Sequence, residues 1–172
     1  MPRMAGPNDE LIERFYAAFA RGDGAAMAAC YAPNVHFRDP AFGDLNGPAV
    51  GAMWRMLASG ARDFRLELLE HASDASTGSA HWIAHYTFSQ TGRPVVNDVH
   101  AAFRFADGLI VDHVDSFDFH RWAGQALGPR GRLLGGTSFL RNTVQRRARA
   151  RLDEYIAHAA AEPVASEGSS AV

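Results

Sequence analysis

Apolar residues recur at helical spacing in the first third of the chain and at every second position in the middle third. Leu11, Ile12, Phe15, Tyr16 and Phe19 form one wide stripe that ends at Gly22. Asn8 is a suitable cap for that helix, and Asp9 and Glu10 fall in its first turn, where the helix dipole favours acids. Asp23 caps a short second helix over 25–31, and a strand over 35–39 ends at Pro40. A loop with Gly43 and Gly47 leads to a third helix from Pro48, whose buried face is Val50, Met53, Trp54 and Leu57. From Asp63 the period becomes two. Phe64, Leu66 and Leu68 alternate with charged residues, and Trp82, Ala84, Tyr86 and Phe88 share one face of a strand over 81–90. The next strand runs from Val95 to Phe105. Asp107-Gly108 then turns a hairpin into a last strand that reads from Ile110 to Phe119. Three helices, one early strand and four successive antiparallel strands predict an α+β layout, with helices on one side of a curved sheet.

Candidate chemistry falls on that last strand. Side chains alternate faces, so His113, Asp115, Phe117 and Phe119 point one way and Asp112, Val114, Ser116 and Asp118 the other. A histidine and a carboxylate beside two phenylalanines predict the wall of a half-apolar pocket with a proton-handling pair. Beyond Phe119, residues 121–127 read as a short helical turn with Trp122, 128–136 as a connector, and 137–161 as a long helix. That helix has a stripe of Leu140, Val144, Ala148, Leu152, Tyr155 and Ile156, and Arg141, Arg146, Arg147, Arg149 and Arg151 are read as its opposite, solvated face. The stripe needs a partner, as a lid on the pocket mouth or across a dimer.

Composition narrows the function classes. The chain has 172 residues, 47% of them hydrophobic, enough for one domain with a sizeable core. A formal net charge of −2 gives no basic footprint for nucleic acid. Cys30 is the single cysteine, which excludes an intramolecular disulfide and a cysteine metal cluster. No apolar run approaches the ~20 residues of a membrane span, and the first ten residues lack a signal-peptide core, so a cytoplasmic protein is expected. His81, His85 and His100, with Asp98 and Arg104, fall on the far sheet face without a tight metal-ligand spacing, so no metal and no cofactor are expected.

The runs RFYAAFARGD, VHFRDPAFGDLNGPAVGAMW and AAFRFADGLIVDHVDSFDF resemble the nuclear transport factor 2-like superfamily, and within it the SnoaL-like and ketosteroid-isomerase-like members. The resemblance spans about residues 8–122 and leaves the C-terminal helix without a counterpart. It implies a cone-shaped curved antiparallel sheet wrapped around N-terminal helices, with a deep apolar pocket, and homodimers built on the outer sheet face. The domain plan is then a flexible leader over 1–7, a cone over 8–127, a connector and extra helix over 128–161, and a disordered tail over 162–172.

Residue by residue, the resemblance places Asp39, before Pro40, where ketosteroid isomerases carry a general-base aspartate. The two enolate donors of those enzymes map to Phe15, with Tyr16 adjacent, and to Ala101; both are absent, so steroid isomerisation is not expected. Polar groups stand instead at His113 and Asp115, a region that the dehydratases and polyketide cyclases of the superfamily use for acid–base work.

Two functional expectations follow. In one, a small apolar or aromatic ligand enters an internal pocket and a cofactor-independent isomerase, cyclase or dehydratase acts on it. Asp39 would be base, His113 general acid or shuttle, Asp115 its orienter and Tyr86 a donor to a substrate carbonyl, with Phe15, Phe19, Trp54, Trp82, Phe103 and Phe117 as lining. In the other, the same fold is a non-catalytic ligand-binding or protein-interaction domain. Each polar residue also has a structural reading: Asp39 as a turn before proline, and His113 with Asp115 as a hydrogen-bonded buried pair.

Overall fold

The computed structural model describes residues 6–60 and 63–162. Residues 61–62 and both chain ends, including most of the expected leader and tail, lie outside the described residues. The described elements are α1 (Pro7–Ala20), α2 (Gly24–Ala28), β1 (Tyr31–Asp39), β2 (Gly43–Asn46), α3 (Pro48–Gly60), β3 (Arg65–Ser73), β4 (Thr77–Phe88), β5 (Arg93–Ala106), β6 (Leu109–Ser116), α4 (Phe119–Leu127), α5 (Pro129–Leu134) and α6 (Ser138–Ala161). The six strands make one curved sheet in the order β2-β1-β6-β5-β4-β3. Neighbours are antiparallel except β1 and β6, which run parallel with Phe37 beside His113. The residue pattern called for this α+β layout with helices on one side of a curved sheet, and the cone is what the resemblance implied.

The core follows from the two periods. The α1 stripe is buried, with Ile12, Phe15 and Tyr16 at 1% exposure or less, and it packs against Trp82, Phe103 and Phe105 from the inner sheet face. The Asp107-Gly108 turn has both residues at positive φ, 52° and 75°, the backbone a two-residue hairpin needs.

Four local readings are corrected. The loop after Pro40 holds β2, a strand of four residues between Gly43 and Gly47, too short to show a period. β1 starts at Tyr31 rather than Val35, because a register shift between Tyr31 and His36 absorbs Pro33-Asn34. Asp118 accepts from the Arg121 N–H and caps α4, so Phe119 begins a helix and leaves the β6 face for a second apolar cluster with Trp122. The connector contains α5, which approaches α4 at Gly131, where a Cβ would stand 1.8 Å from the Ala123 carbonyl oxygen.

The extra helix, α6, docks on its own chain. Leu140 and Val144 pack on the second cluster and Ala148 on the first, while Leu152 is 1% exposed. Gln145 Nε2 donates to the Pro40 carbonyl at 3.2 Å and an Arg149 Nη1 donates to the Asp44 carbonyl at 2.9 Å. The predicted stripe runs one turn too far, since Ile156 is 38% exposed. Leu152→Ala is expected to cost about 2–5 kcal/mol in urea unfolding; a cost below about 1 kcal/mol would mean that α6 is not anchored there.

Candidate functional site

A cavity of about 290 Å³ opens between the inner sheet face, α3 and α6. Its wall is mostly aromatic: Phe19, Phe42, Trp54, Phe64, Trp82, Phe88, Phe117 and Trp122 all reach it. Its size is near the lower end of the ~300–1,000 Å³ common for small-molecule pockets. Into this lining β1 and β6 bring two carboxylates, Asp39 and Asp115.

Asp39 ends β1. Its Oδ1 accepts from the backbone N–H groups of Ala41 at 2.9 Å and Phe42 at 2.6 Å, the turn that Pro40 sets up. Its Oδ2 has no hydrogen-bond partner among the described residues. The apolar surroundings lift the Asp39 pKa to about 7, and the negative charge of Asp115 adds to that rise against the two backbone donors. The turn reading and the functional reading of this residue therefore coexist, one on each oxygen.

Asp115 is held from behind by a relay of buried polar groups. Trp54 Nε1 donates to the Tyr31 hydroxyl oxygen at 2.8 Å, that hydroxyl lies 2.7 Å from His113 Nδ1, and His113 Nε2 lies 2.8 Å from Asp115 Oδ1. Every donor in the relay is used when Tyr31 donates to Nδ1 and His113 carries its proton on Nε2, facing the carboxylate. Burial pushes the Tyr31 phenol well up, so its proton stays on. His113 has no exposed surface and lies among Phe15, Phe37, Trp54 and Phe103. Asp115 reaches the cavity and His113 does not.

Tyr86 also reaches the cavity. Its hydroxyl oxygen accepts from Trp122 Nε1 at 2.9 Å, and its own proton has no acceptor among the described residues. Desolvation raises its pKa, and the charge of Asp39 adds to this, which places a neutral phenol beside that carboxylate. The indole N–H of Trp82 is buried at the wall without a hydrogen-bond partner among the described residues.

Of the residues singled out from sequence, Asp39, Asp115, Tyr86, Phe19, Trp54, Trp82 and Phe117 meet around one cavity. His113, Phe15 and Phe103 are placed in the packed layer behind the wall instead. Alternation assigned their face correctly but not their depth, which depends on where along the cone each strand position falls. Sequence reasoning missed Tyr31, taken for the end of a helix, and Trp122, taken for part of a turn. Arg147 and Arg151 are exposed, as expected for the solvated face of the last helix, and they also border the cavity, which sequence reasoning did not foresee. On the outer sheet face His81, Asp98 and His100 cluster, with His81 Nε2 2.7 Å from Asp98 and the two rings stacked at 4.1 Å. The strand pairing of His81 with His100 accounts for that proximity.

Residues 12–113 match the family model described as SnoaL-like domain. Among solved structures, a proposed polyketide cyclase from Xanthomonas campestris pv. campestris is 22% identical with a TM-score of 0.60, over 70% of this chain and 96% of that one. An epoxide hydrolase of M. tuberculosis, described as LEH-like, is 18% identical with a TM-score of 0.58, over 73% and 91%. TerC, co-crystallised with polyporic acid, is 21% identical with a TM-score of 0.56, over 68% and 98%. These likenesses show the fold. No curated protein matches the chain in sequence. No described helix is long and apolar enough to cross a membrane.

Tyr31→Phe strands both Trp54 Nε1 and His113 Nδ1, so unfolding free energy is expected to fall by about 2–6 kcal/mol at about 1–3 kcal/mol per unmet group. A loss below about 1 kcal/mol would show that the relay does not hold. Asp39 carries the opposite pH signature from an ion-paired acid. Its pKa is about 7 in the fold and about 3.9 unfolded, so its share of stability is full below pH 4 and is lost as pH rises toward 7. Asp39→Asn should therefore raise the melting temperature relative to wild type at pH 8 and leave the difference near zero at pH 4.

Proposed function

The chain belongs to the SnoaL-like family, and on that premise we propose that it is a cofactor-independent enzyme moving protons on a small, largely apolar carbonyl or hydroxyl compound. One observation carries this reading. Two carboxylates from different strands each have one oxygen pinned by the protein, while the other has no partner among the described residues, and both line the same aromatic cavity. A carboxylate that needed only to be buried and satisfied would have no reason to keep half its acceptors unused there.

The roles follow from the partners. Asp39 Oδ2 is the base: with a pKa near 7 it is ionised in part at neutral pH and matched to taking a proton from carbon next to a carbonyl. Electrons of the broken C–H bond move onto the carbonyl oxygen, and the unused Tyr86 O–H is the donor placed to bond the resulting enolate. Asp39 then returns that proton to another substrate carbon or to a departing hydroxyl, and Asp115, the anion beside it, is the second acceptor, placed to bond a substrate hydroxyl. His113 is a positioning residue that acts through Asp115, which inverts the order read from sequence. The positions of the missing steroid-isomerase donors, Phe15 and Ala101, remain apolar and buried, which favours other substrates than 3-ketosteroids.

A thermal-shift and mass-spectrometry screen with ketones, sterols and polyketide-like aromatics tests this. On a compound that is converted, Asp39→Asn and Asp115→Asn should each lower kcat/KM by about 10²–10⁴-fold. The wild-type rate should rise with pH through about 7, as Asp39 loses its proton. A ligand that stabilises the protein while no product forms would favour the binding-domain reading. Losses below tenfold at both aspartates would remove the proposed roles.

A further inference from the structure

We propose that α6 makes the cavity selective for ligands carrying a carboxylate or an equivalent single anionic group, held at the mouth by Arg147 and Arg151. This deepens the function proposed above and rests on the cavity being the ligand site. The helix lies beyond the family match, which ends at residue 113.

Five arginines on α6 separate into two groups by what they touch. Arg141 lies over the Phe119 ring at 5.4 Å, Arg146 donates to Thr143 Oγ1, and Arg149 donates to the Asp44 carbonyl. Arg147 and Arg151 have no hydrogen-bond or ion-pair partner among the described residues, although Asp153 and Glu154 follow directly along the helix. These two, and none of the other three, line the cavity. They are four residues apart, so their side chains leave the same face one turn from each other, and like charges so placed repel mildly unless an anion comes between them. Two planar guanidiniums on one helix face, both bordering the cavity, offer paired N–H donors, which suit a carboxylate.

The rest of the cavity fixes which end of a ligand goes where. Asp39 and Asp115 put negative charge on the sheet side, and the arginines put positive charge on the helix side, with aromatic wall between them. An acidic ligand is repelled from the first pair and attracted to the second. Its uncharged carbonyl or hydroxyl end is thereby turned toward the carboxylates, and its apolar body lies against the rings. The docking of α6 through Gln145 onto the Pro40 carbonyl, next to Asp39, holds the two poles in a fixed relation. A neutral ligand has no such reason to prefer one direction.

The test uses the full chain and two probes of nearly the same shape, 2-naphthoate and methyl 2-naphthoate. All three tryptophans, Trp54, Trp82 and Trp122, line the cavity, so quenching of intrinsic fluorescence reports binding there directly. Wild type is expected to bind the acid about tenfold more tightly than the ester, with the preference falling as salt rises. Arg147→Gln with Arg151→Gln should abolish the preference while leaving ester affinity within twofold. The double lysine variant should keep part of the preference, and Arg146→Gln should change nothing. Equal binding of acid and ester by wild type, or a preference that survives the double glutamine variant, overturns the inference and leaves the cavity as the ligand site. If neither probe quenches the tryptophans, the cavity reading itself fails and the inference goes with it.

Discussion

A carboxylate can stand at the wall of an apolar cavity only if something behind it meets part of its need for hydrogen bonds. In this protein that support is a line of four buried groups running from Trp54 on α3, through Tyr31 at the start of β1 and His113 in β6, to Asp115. The line ties a helix to two neighbouring strands, and β1 and β6 are the one parallel pair in the sheet. Because each member has its partners in the direction the next requires, the far oxygen of Asp115 is left for the cavity. Asp39 reaches the same end by a local route, with a proline turn donating two backbone N–H groups to one oxygen. Different supports thus deliver two half-used acids to one greasy space, and the chemistry proposed for the protein is a consequence of that arrangement.

The cone's proportions are set by the same packing. Phe15 meets the rings of Tyr31, Trp54 and His113 edge-on, so the aromatic stripe of α1 is the surface against which the polar line is pressed. Water is excluded from it, which strengthens each hydrogen bond and makes the loss of any one costly. The cavity lies on the other side, and its aromatic lining keeps Asp39 poorly solvated, the main cause of its raised pKa. Packing and acidity are two readings of one low-dielectric interior.

Much of this was legible in the residues. Alternation in β4 and β6 placed Tyr86 and Asp115 on the inner face, and the Asp-Pro step marked Asp39, because strand period and proline chemistry are local. What alternation cannot carry is depth along the cone, which is why His113 was expected at the ligand and is instead behind Asp115. Tyr31 was hidden because a strand that begins with a register shift over Pro33-Asn34 looks like a helix end followed by a turn. For α6 the apolar stripe was visible. Which arginines flank it on the cavity side depends on how the helix is rotated when it docks, and that is fixed by Gln145 and Arg149 bonding to carbonyls 105 residues away, together with the burial of Leu152. Phe119 and β2 were misread for simpler reasons, an Asp118 cap and a strand of four residues.

The central claim is that Asp39 and Asp115 are close neighbours in one desolvated cavity. The most direct measurement is a carbon-13 NMR titration of the Asp39 carboxyl in the wild type and in Asp115→Asn. The account predicts a wild-type midpoint at about 7 and a lower midpoint in the variant, still above the ordinary aspartate value because desolvation remains. A wild-type midpoint at the ordinary aspartate value, or one that Asp115→Asn does not move, would contradict it.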